Sequence, residues 1–437
     1  MHSSKLLTLI SGLDASEFRW LHKFLKSPFY NTNQKVLRLF EYIKKYYPDL
    51  ASPKLVKETA YQTLFPKQKF EAQKMRKLMH ELATLVEDFM VAQHFQKNQF
   101  ARKKILTKEL GQRNLYGLFE KNSEEITSDL DKLPYRDKDY FLEQYLNKYQ
   151  LLSHPLTPKR QNVKERLLPL SDGLDYFYFL QKLKMNCDLE SAKNIYSGEG
   201  GGGLPFFEEI AREIEKRNLK SNPTIQFYSL ANQVFINKNS INSFNKLHQH
   251  FLQNRESLTT EDKDYLLRLL INSAIFKFNS GKEEYLDVCF DLYNIGLKED
   301  LFTRTNRITE SVFTNIITIS CLLKKFDFAD KFIQQYESSV DKSQRHEIVL
   351  LNKANIIFNK GIFSETIDLL LPETFTNNLF KLRAKMLLLK SYYELSLDDA
   401  SYFNLTITQI ENFERNIRRE ENISEITSVA LRKYFLM

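Results

Sequence analysis

The chain of 437 residues is poor in several residue types at once: 3 cysteines, 1 tryptophan, 11 prolines and 12 glycines. So little proline and glycine excludes collagen-like and proline-rich classes. Cys187, Cys289 and Cys321 lie far apart with no CxxC pair, which excludes a zinc ribbon and a thioredoxin-like motif. Each sits among apolar neighbours, the setting of a buried structural thiol. No apolar run approaches the ~18 residues that a membrane span needs, so no membrane association is expected. The stretch Leu6 to Ile10 is shorter than a signal peptide's hydrophobic region, and Asp14 follows closely. The expected location is therefore the cytoplasm.

Catalytic signatures are missing too. HExxH, GxSxG and Cys–His constellations do not occur. His248 and His250 form the closest histidine pair, but HxH places two imidazoles about 200° apart on a helix, unsuited to one metal. The pairs Glu283–Glu284 and Asp398–Asp399 sit where a solvated turn or helix start would put them. No catalytic residue, cofactor or metal site is expected, and the chain reads as non-enzymatic. An enzyme or effector whose site assembles only in three dimensions is the second alternative.

What the chain does have is apolar and charged content typical of a globular protein, 42% and 27%. Its Asn, Lys, Ile and Phe richness points to a low-GC, bacterial genome. Lys+Arg exceed Asp+Glu by 63 − 55 = 8. Residues 1–100 carry 16 against 9 and the remainder 47 against 46, so the excess lies almost wholly in the first quarter. Residues 251–300 run the other way, 6 against 10. Such asymmetry bears on partners rather than on fold.

Helical spacing dominates from the start. Asp14 and Glu17 fit a capping box ahead of Phe18, Leu21 and Leu25, and Pro28 ends that helix. Val36, Leu39, Phe40, Ile43 and Tyr47 line a second helix. Tyr61, Leu64 and Phe65 mark a short third. Met75, Leu78, Met79, Leu82, Val86, Phe89 and Met90 form the stripe of a long fourth. Residues 1–95 are thus expected to be a basic four-helix domain. Lys67, Lys69, Lys74, Arg76 and Lys77 cluster at the start of its fourth helix, in a possible helix-turn-helix arrangement that would contact an anion or nucleic acid. Lys77 can pair with Glu81 at i+4 instead.

Residues 96–197 read as helical hairpins, with breaks near Gly111, Gly117 and Pro134 and a proline-containing loop at 154–172. The run 198–205 holds five of the glycines. Leu204 and Pro205 follow where a phosphate-binding loop needs Lys-Ser/Thr, so the run reads as a linker, natural or introduced.

From 206 to 437 helices come in pairs. Leu379, Leu382, Met386, Leu389 and Tyr393 keep helical spacing, as do Val312, Ile316, Ile319 and Leu323. The segments 324–333, 360–370 and 394–403 each join two helices. Aligned on Ala329, Thr366 and Ala400 they recur at 37 and 34 residues. Looser copies lie at 279–293, 43 residues earlier, and at 237–251. These residues resemble the tetratricopeptide repeat, a 34-residue helix–turn–helix. The likeness rests on the small residues Ala329 and Ala400 and the turn Gly361. It departs from that pattern in lacking a Trp at the repeat start, in Thr366, and in few closing prolines.

The expected fold class is all-α: a small N-terminal helical domain, then a right-handed α-α superhelix of such pairs. The polar last helix, with Glu411, Glu414, Arg415, Arg418, Arg419, Glu420 and Glu421, would cap it. The resemblance implies a concave surface that binds a protein or peptide, with Tyr392 as a candidate anchor. The primary functional reading is a non-catalytic interaction scaffold or adaptor. The first alternative is a nucleic-acid-binding regulator that uses residues 1–95 and senses a partner through the repeats. Self-association through repeat ends is a further possibility that stacking repeats carry.

Overall fold

The structure, a computed structural model, describes residues 1, 3–155, 163–195, 203–303 and 307–419. All regular elements among the described residues are helical, so the fold is all-α. The chain divides into two compact units, Met1–Lys132 with Leu146–Arg166, and Leu133–Tyr145 with Leu167 onward.

The first unit opens on a helix that the apolar stretch Leu6 to Ile10 had not announced, α1 (Lys5–Ser11), which buries Leu6, Leu7 and Ile10. Helix α2 (Ala15–Lys26) starts at the expected capping box: Asp14 accepts from the Ser16 and Glu17 amides, and Glu17 accepts from the Asp14 amide. Helices α3 (Gln34–Lys44) and α4 (Lys57–Leu64) follow, then the long α5 (Ala72–Lys97). Helices α1, α2, α3 and α4 all pack on α5. They bury Phe18, Leu21, Phe40, Tyr61, Met75, Leu82 and Val86 in one apolar core. Tyr47, expected on that core face, stacks on Phe18 at 4.0 Å and donates to the Leu13 carbonyl at 2.9 Å.

This unit does not stop at residue 95. Helix α5 packs on α6 (Gln99–Gln112), which packs on α7 (Tyr116–Asp131). The buried Asn122 side chain of α7 donates to the Lys103 carbonyl at 2.9 Å and to Thr107 Oγ1 at 2.5 Å. Lys103 pairs with Asp129 at 2.6 Å and Glu125 at 3.3 Å. These polar contacts fasten α6 to α7, so the compact body runs to Lys132 rather than to 95. Gly117 lies within the first turn of α7 and breaks nothing, whereas 113–115 and 132–137 do separate helices. Helix α8 (Lys138–Ser153) follows.

The loop expected at 154–172 is corrected in its second half. Residues 156–162 lie outside the described residues, but 163–172 belong to α9 (Val163–Ile195), with Pro169 in its interior. Proline removes one backbone donor and disfavours a helix interior. Contacts within the second unit hold the segment helical nonetheless. Arg217 bridges Asp172 and Asp175 of α9, at 2.7 Å each, and a Cβ at Gly173 would lie 3.8 Å from the Phe141 carbonyl and Tyr145 Cβ. Most of the glycine run lies outside the described residues.

Among the described residues, six helix pairs follow α8. Helix α9 is followed by α10 (Phe207–Lys216), then α11 (Pro223–Ile236) by α12 (Ile241–Asn254), and α13 (Thr260–Asn279) by α14 (Tyr285–Lys298). Helix α15 (Glu310–Leu322) pairs with α16 (Phe326–Tyr336), α17 (Arg345–Asn359) with α18 (Phe363–Leu370), and α19 (Asn378–Asp398) with α20 (Phe403–Arg419). First helices also meet along the series: α11 packs on α13, α15 on α17, and α17 on α19.

Three pairs turn the same way. Gly281, Lys324 and Gly361 are left-handed, with φ of +88°, +55° and +81°. At each, the next amide reaches back five residues: Lys282 to the Lys277 carbonyl, Lys325 to Ser320, and Ile362 to Ile357. That is the Schellman closure of a helix. Their spacings are 324 − 281 = 43 and 361 − 324 = 37, the intervals expected from sequence. The segment after α14 fits the longer first interval. Its Leu301 and Phe302 are buried, and Phe302 lies against Gly296 of α14.

The 34-residue step to Ala400 is corrected. Ala400 is exposed, in a 3-10 turn, and α20 begins only at Phe403. The fourth position of the second helix, held by fully buried Ala329 in α16 and Thr366 in α18, is Thr406 in α20, 40 residues beyond Thr366. Both threonines return their hydroxyls to a carbonyl four residues earlier, Ile362 at 3.1 Å and Tyr402 at 2.9 Å. That leaves no orphan polar atom where a small side chain is needed. Of the expected C-terminal cap, Glu411 is exposed, and the side chains of the other named residues lie outside those described.

Candidate functional site

The basic cluster of the first unit sits on the turn between α4 and α5 and on the first turns of α5. Lys67, left-handed at φ +76°, and Lys69 are exposed on the turn; Arg76 and Lys77 are exposed on α5. Lys74 is engaged within the fold. It lies 4.3 Å over the Phe65 ring, donates to Gln68 at 3.0 Å, and is 3.8 Å from Glu71. Glu81, the carboxylate that Lys77 was expected to meet, accepts both hydrogen bonds of the Asn33 amide, at 3.0 and 3.1 Å. The five residues share one region, but Lys74 is committed to the α4–α5 junction.

Tyr392 is corrected. It is 8% exposed and packs inside the fold, 6.3 Å from the Tyr402 ring, while its neighbour Tyr393 is 54% exposed. Leu379, expected in the core stripe, is likewise exposed. Helix α19 packs on α17, α18 and α20, so it buries two faces, one through Phe380, Ala384 and Ser391 and another through Leu382 and Leu389. One helical stripe is too narrow a template for a helix covered on two sides.

Two grooves of the second unit are each formed by first helices of successive pairs. One, of ≈ 640 Å³, is lined by Ser191 and Lys193 of α9, Val234 and Phe235 of α11, Lys238, and Tyr265, Arg268, Asn272 and Phe276 of α13. The other, of ≈ 260 Å³, is lined by Glu310, Thr314 and Thr318 of α15, Ile348, Asn352 and Asn355 of α17, and Phe380, Arg383, Met386 and Lys390 of α19. Four-residue spacing aligns Arg268, Asn272 and Phe276 on one face of α13, and Glu310, Thr314 and Thr318 on one face of α15.

The polar lining is oriented by neighbours. Arg268 bonds Asp264 at 2.8 Å and lies 5.2 Å over the Phe302 ring. Lys193 bonds Glu190 at 2.7 Å. In the second groove Arg383 bridges to Glu310, and Asn352 donates to Thr314 Oγ1 at 3.1 Å. Between α11 and α13, the buried Asp262 carboxylate accepts from the Tyr228 hydroxyl and Thr259, with Lys184 of α9 at 3.3 Å. Burial would depress the Lys184 ammonium, but Asp262 and Glu261 outweigh it and hold its pKa above the usual value.

No family model, curated protein or solved structure matches the chain.

Apart from the Glu310 carboxylate, which Arg383 bridges, the side chains of the grooves are amides, hydroxyls, cations and apolar groups. Such a lining hydrogen-bonds and packs a ligand. All three thiols are buried, and burial pushes Cys289 and Cys321 up to about 12, with Cys187 also raised, which favours the thiol over the nucleophilic thiolate. His248 and His250 face different rings, Phe244 at 5.5 Å and Phe227 at 4.3 Å. Among the described residues there is no group of three His, Cys, Asp or Glu side chains able to hold a metal. Sequence reasoning missed both grooves. The legible signal was the polar row Glu310–Thr314–Thr318 on an otherwise apolar helix, and it is faint because each residue alone reads as ordinary helix surface.

Proposed function

We propose that the chain is a non-catalytic interaction scaffold whose second unit seats a segment of a partner protein along its first helices, as a tetratricopeptide-like superhelix would. The observation that carries this reading is that the two grooves are built from equivalent elements, α9, α11 and α13 in one and α15, α17 and α19 in the other. The side-chain amide of Asn272, exposed on α13, offers a donor and an acceptor to a peptide backbone. Phe276, 45% exposed, offers an apolar contact of the kind that anchors interfaces.

The test is affinity capture with the full chain from native lysate, with and without nuclease, at two salt concentrations. It is run in parallel with Phe276→Glu, Thr318→Arg and a control, Lys331→Glu, on the exposed side of α16. The proposal expects a stoichiometric protein partner that survives nuclease and is lost from one or both groove variants but not from the control. A partner set unchanged by both groove variants contradicts it.

A further inference from the structure

The chain's single tryptophan is not in the core. Trp20 is 54% exposed on α2, Phe29 is 86% exposed on the loop that follows, and Tyr30 is 46% exposed beside it. Lys23 Nζ lies 4.9 Å from the Trp20 ring centroid. Tyr30 stacks on Phe24 at 4.0 Å and meets Phe29 edge-on at 5.0 Å. The loop is fixed rather than slack. The buried Asn31 side chain donates to the Leu25 carbonyl at 2.9 Å and accepts from the Asn33 amide at 2.9 Å. The rings of Phe29 and Tyr30 are therefore held at the surface, and Trp20 lies one helical turn before Phe24, on which Tyr30 stacks.

The array stands in a positive field. From Phe18 to Phe40 the sequence has no Asp or Glu and five Lys or Arg. Arg19, Lys23 and Lys26 are exposed on one flank of α2, at i, i+4 and i+7, which spaces them about 6 Å and about 5 Å apart along the axis. Of the nearby carboxylates, Glu17 pairs with Lys97 at 3.2 Å and Glu87 with Lys5 at 2.7 Å, Glu81 accepts from Asn33, and Glu41 lies 3.6 Å from His22 of α2. A file of cations beside exposed aromatic rings is the chemistry that binds unpaired nucleotides, phosphates along the cations and bases on the rings. A duplex keeps its bases stacked inward and has no use for the rings. The cations follow a line along one helix edge, and Trp20 and Tyr30 are half covered, so the array suits a strand better than the deep apolar burial of an interfacial membrane helix.

We propose that this face of the first unit, α2 with the loop carrying Phe29 and Tyr30, binds single-stranded nucleic acid. The site is distinct from the Lys67–Lys77 cluster and independent of the grooves of the second unit.

The sole tryptophan supplies the readout. The full chain is titrated with a short oligothymidylate, a short oligouridylate, a hairpin duplex, and phosphatidylserine–phosphatidylcholine vesicles. Trp20 fluorescence and the anisotropy of labelled oligonucleotide are both followed. The expected result is quenching of Trp20 by single strands, with weaker binding of the duplex. Phe29→Ala, a surface change that leaves the core intact, should weaken strand binding by about 5-fold to 150-fold. Lys23→Gln and Lys26→Gln should each reduce the slope of log affinity against log salt by about 0.7. Four outcomes overturn the proposal: no strand binding at low salt, a duplex bound as tightly as the strand, Trp20 responding to vesicles but not to oligonucleotides, or a Phe29→Ala variant that binds as well as the parent.

Discussion

Among the described glycines, Gly296 has the least room for a side chain. A Cβ there would stand against the Phe302 ring and 2.9 Å from Leu267 Cδ2. Gly296→Ala should destabilise the protein by about 1–3 kcal/mol, because α14 would have to move off α13; a lowered urea midpoint at unchanged slope checks this. Lys324 presents the converse case. It holds at φ +55° the turn position that glycine occupies at 281 and 361, so Lys324→Gly should stabilise by roughly 1 kcal/mol. His250 should make the stability of the protein pH-dependent. Its Nε2 is buried without a hydrogen-bond partner among the described residues, and burial holds its pKa below 6.5. Burial acts the same way on His22 and His248. Below pH 6.5 the unfolded chain takes up protons that the folded one refuses, so stability falls as pH drops from 6.5 toward the lowered folded values. Urea midpoints between pH 7 and pH 5 should show that fall, and His250→Leu should reduce it; a flat profile for the parent would contradict this assignment.

At the scale of elements, one side chain ties α9 to α11. Buried Asn232 donates to the Leu183 carbonyl at 3.0 Å and accepts from Asn186 at 2.8 Å. Asn232→Leu leaves the Asn186 amide and the Leu183 carbonyl without this partner, and should cost about 1–3 kcal/mol, read as a lower thermal midpoint with helix content retained. Elements of this kind explain what the sequence could and could not reveal. The capping box at Asp14 and Glu17 and the turn at Gly361 were legible because local chemistry sets them. Tyr392 was misread because α19 is covered on two sides, which no single stripe encodes. The helix across Pro169 was missed because Arg217, 42 residues or more away in sequence, holds Asp172 and Asp175. The grooves were invisible for the same reason: each draws its lining from three helices whose adjacency is tertiary.

At the scale of the whole molecule, two units carry two different surfaces. The first presents cations and exposed rings; the second presents two grooves along the first helices of its pairs. On the function proposed above, these grooves seat a partner protein. The most direct measurement is hydrogen–deuterium exchange of the full chain, alone and with the captured partner. The account predicts slowed exchange along the first helices of one groove or both, α11 and α13 or α15, α17 and α19, with little change in the second helices α12, α16 and α18. Protection confined to those second helices, or to residues 1–132, would contradict it.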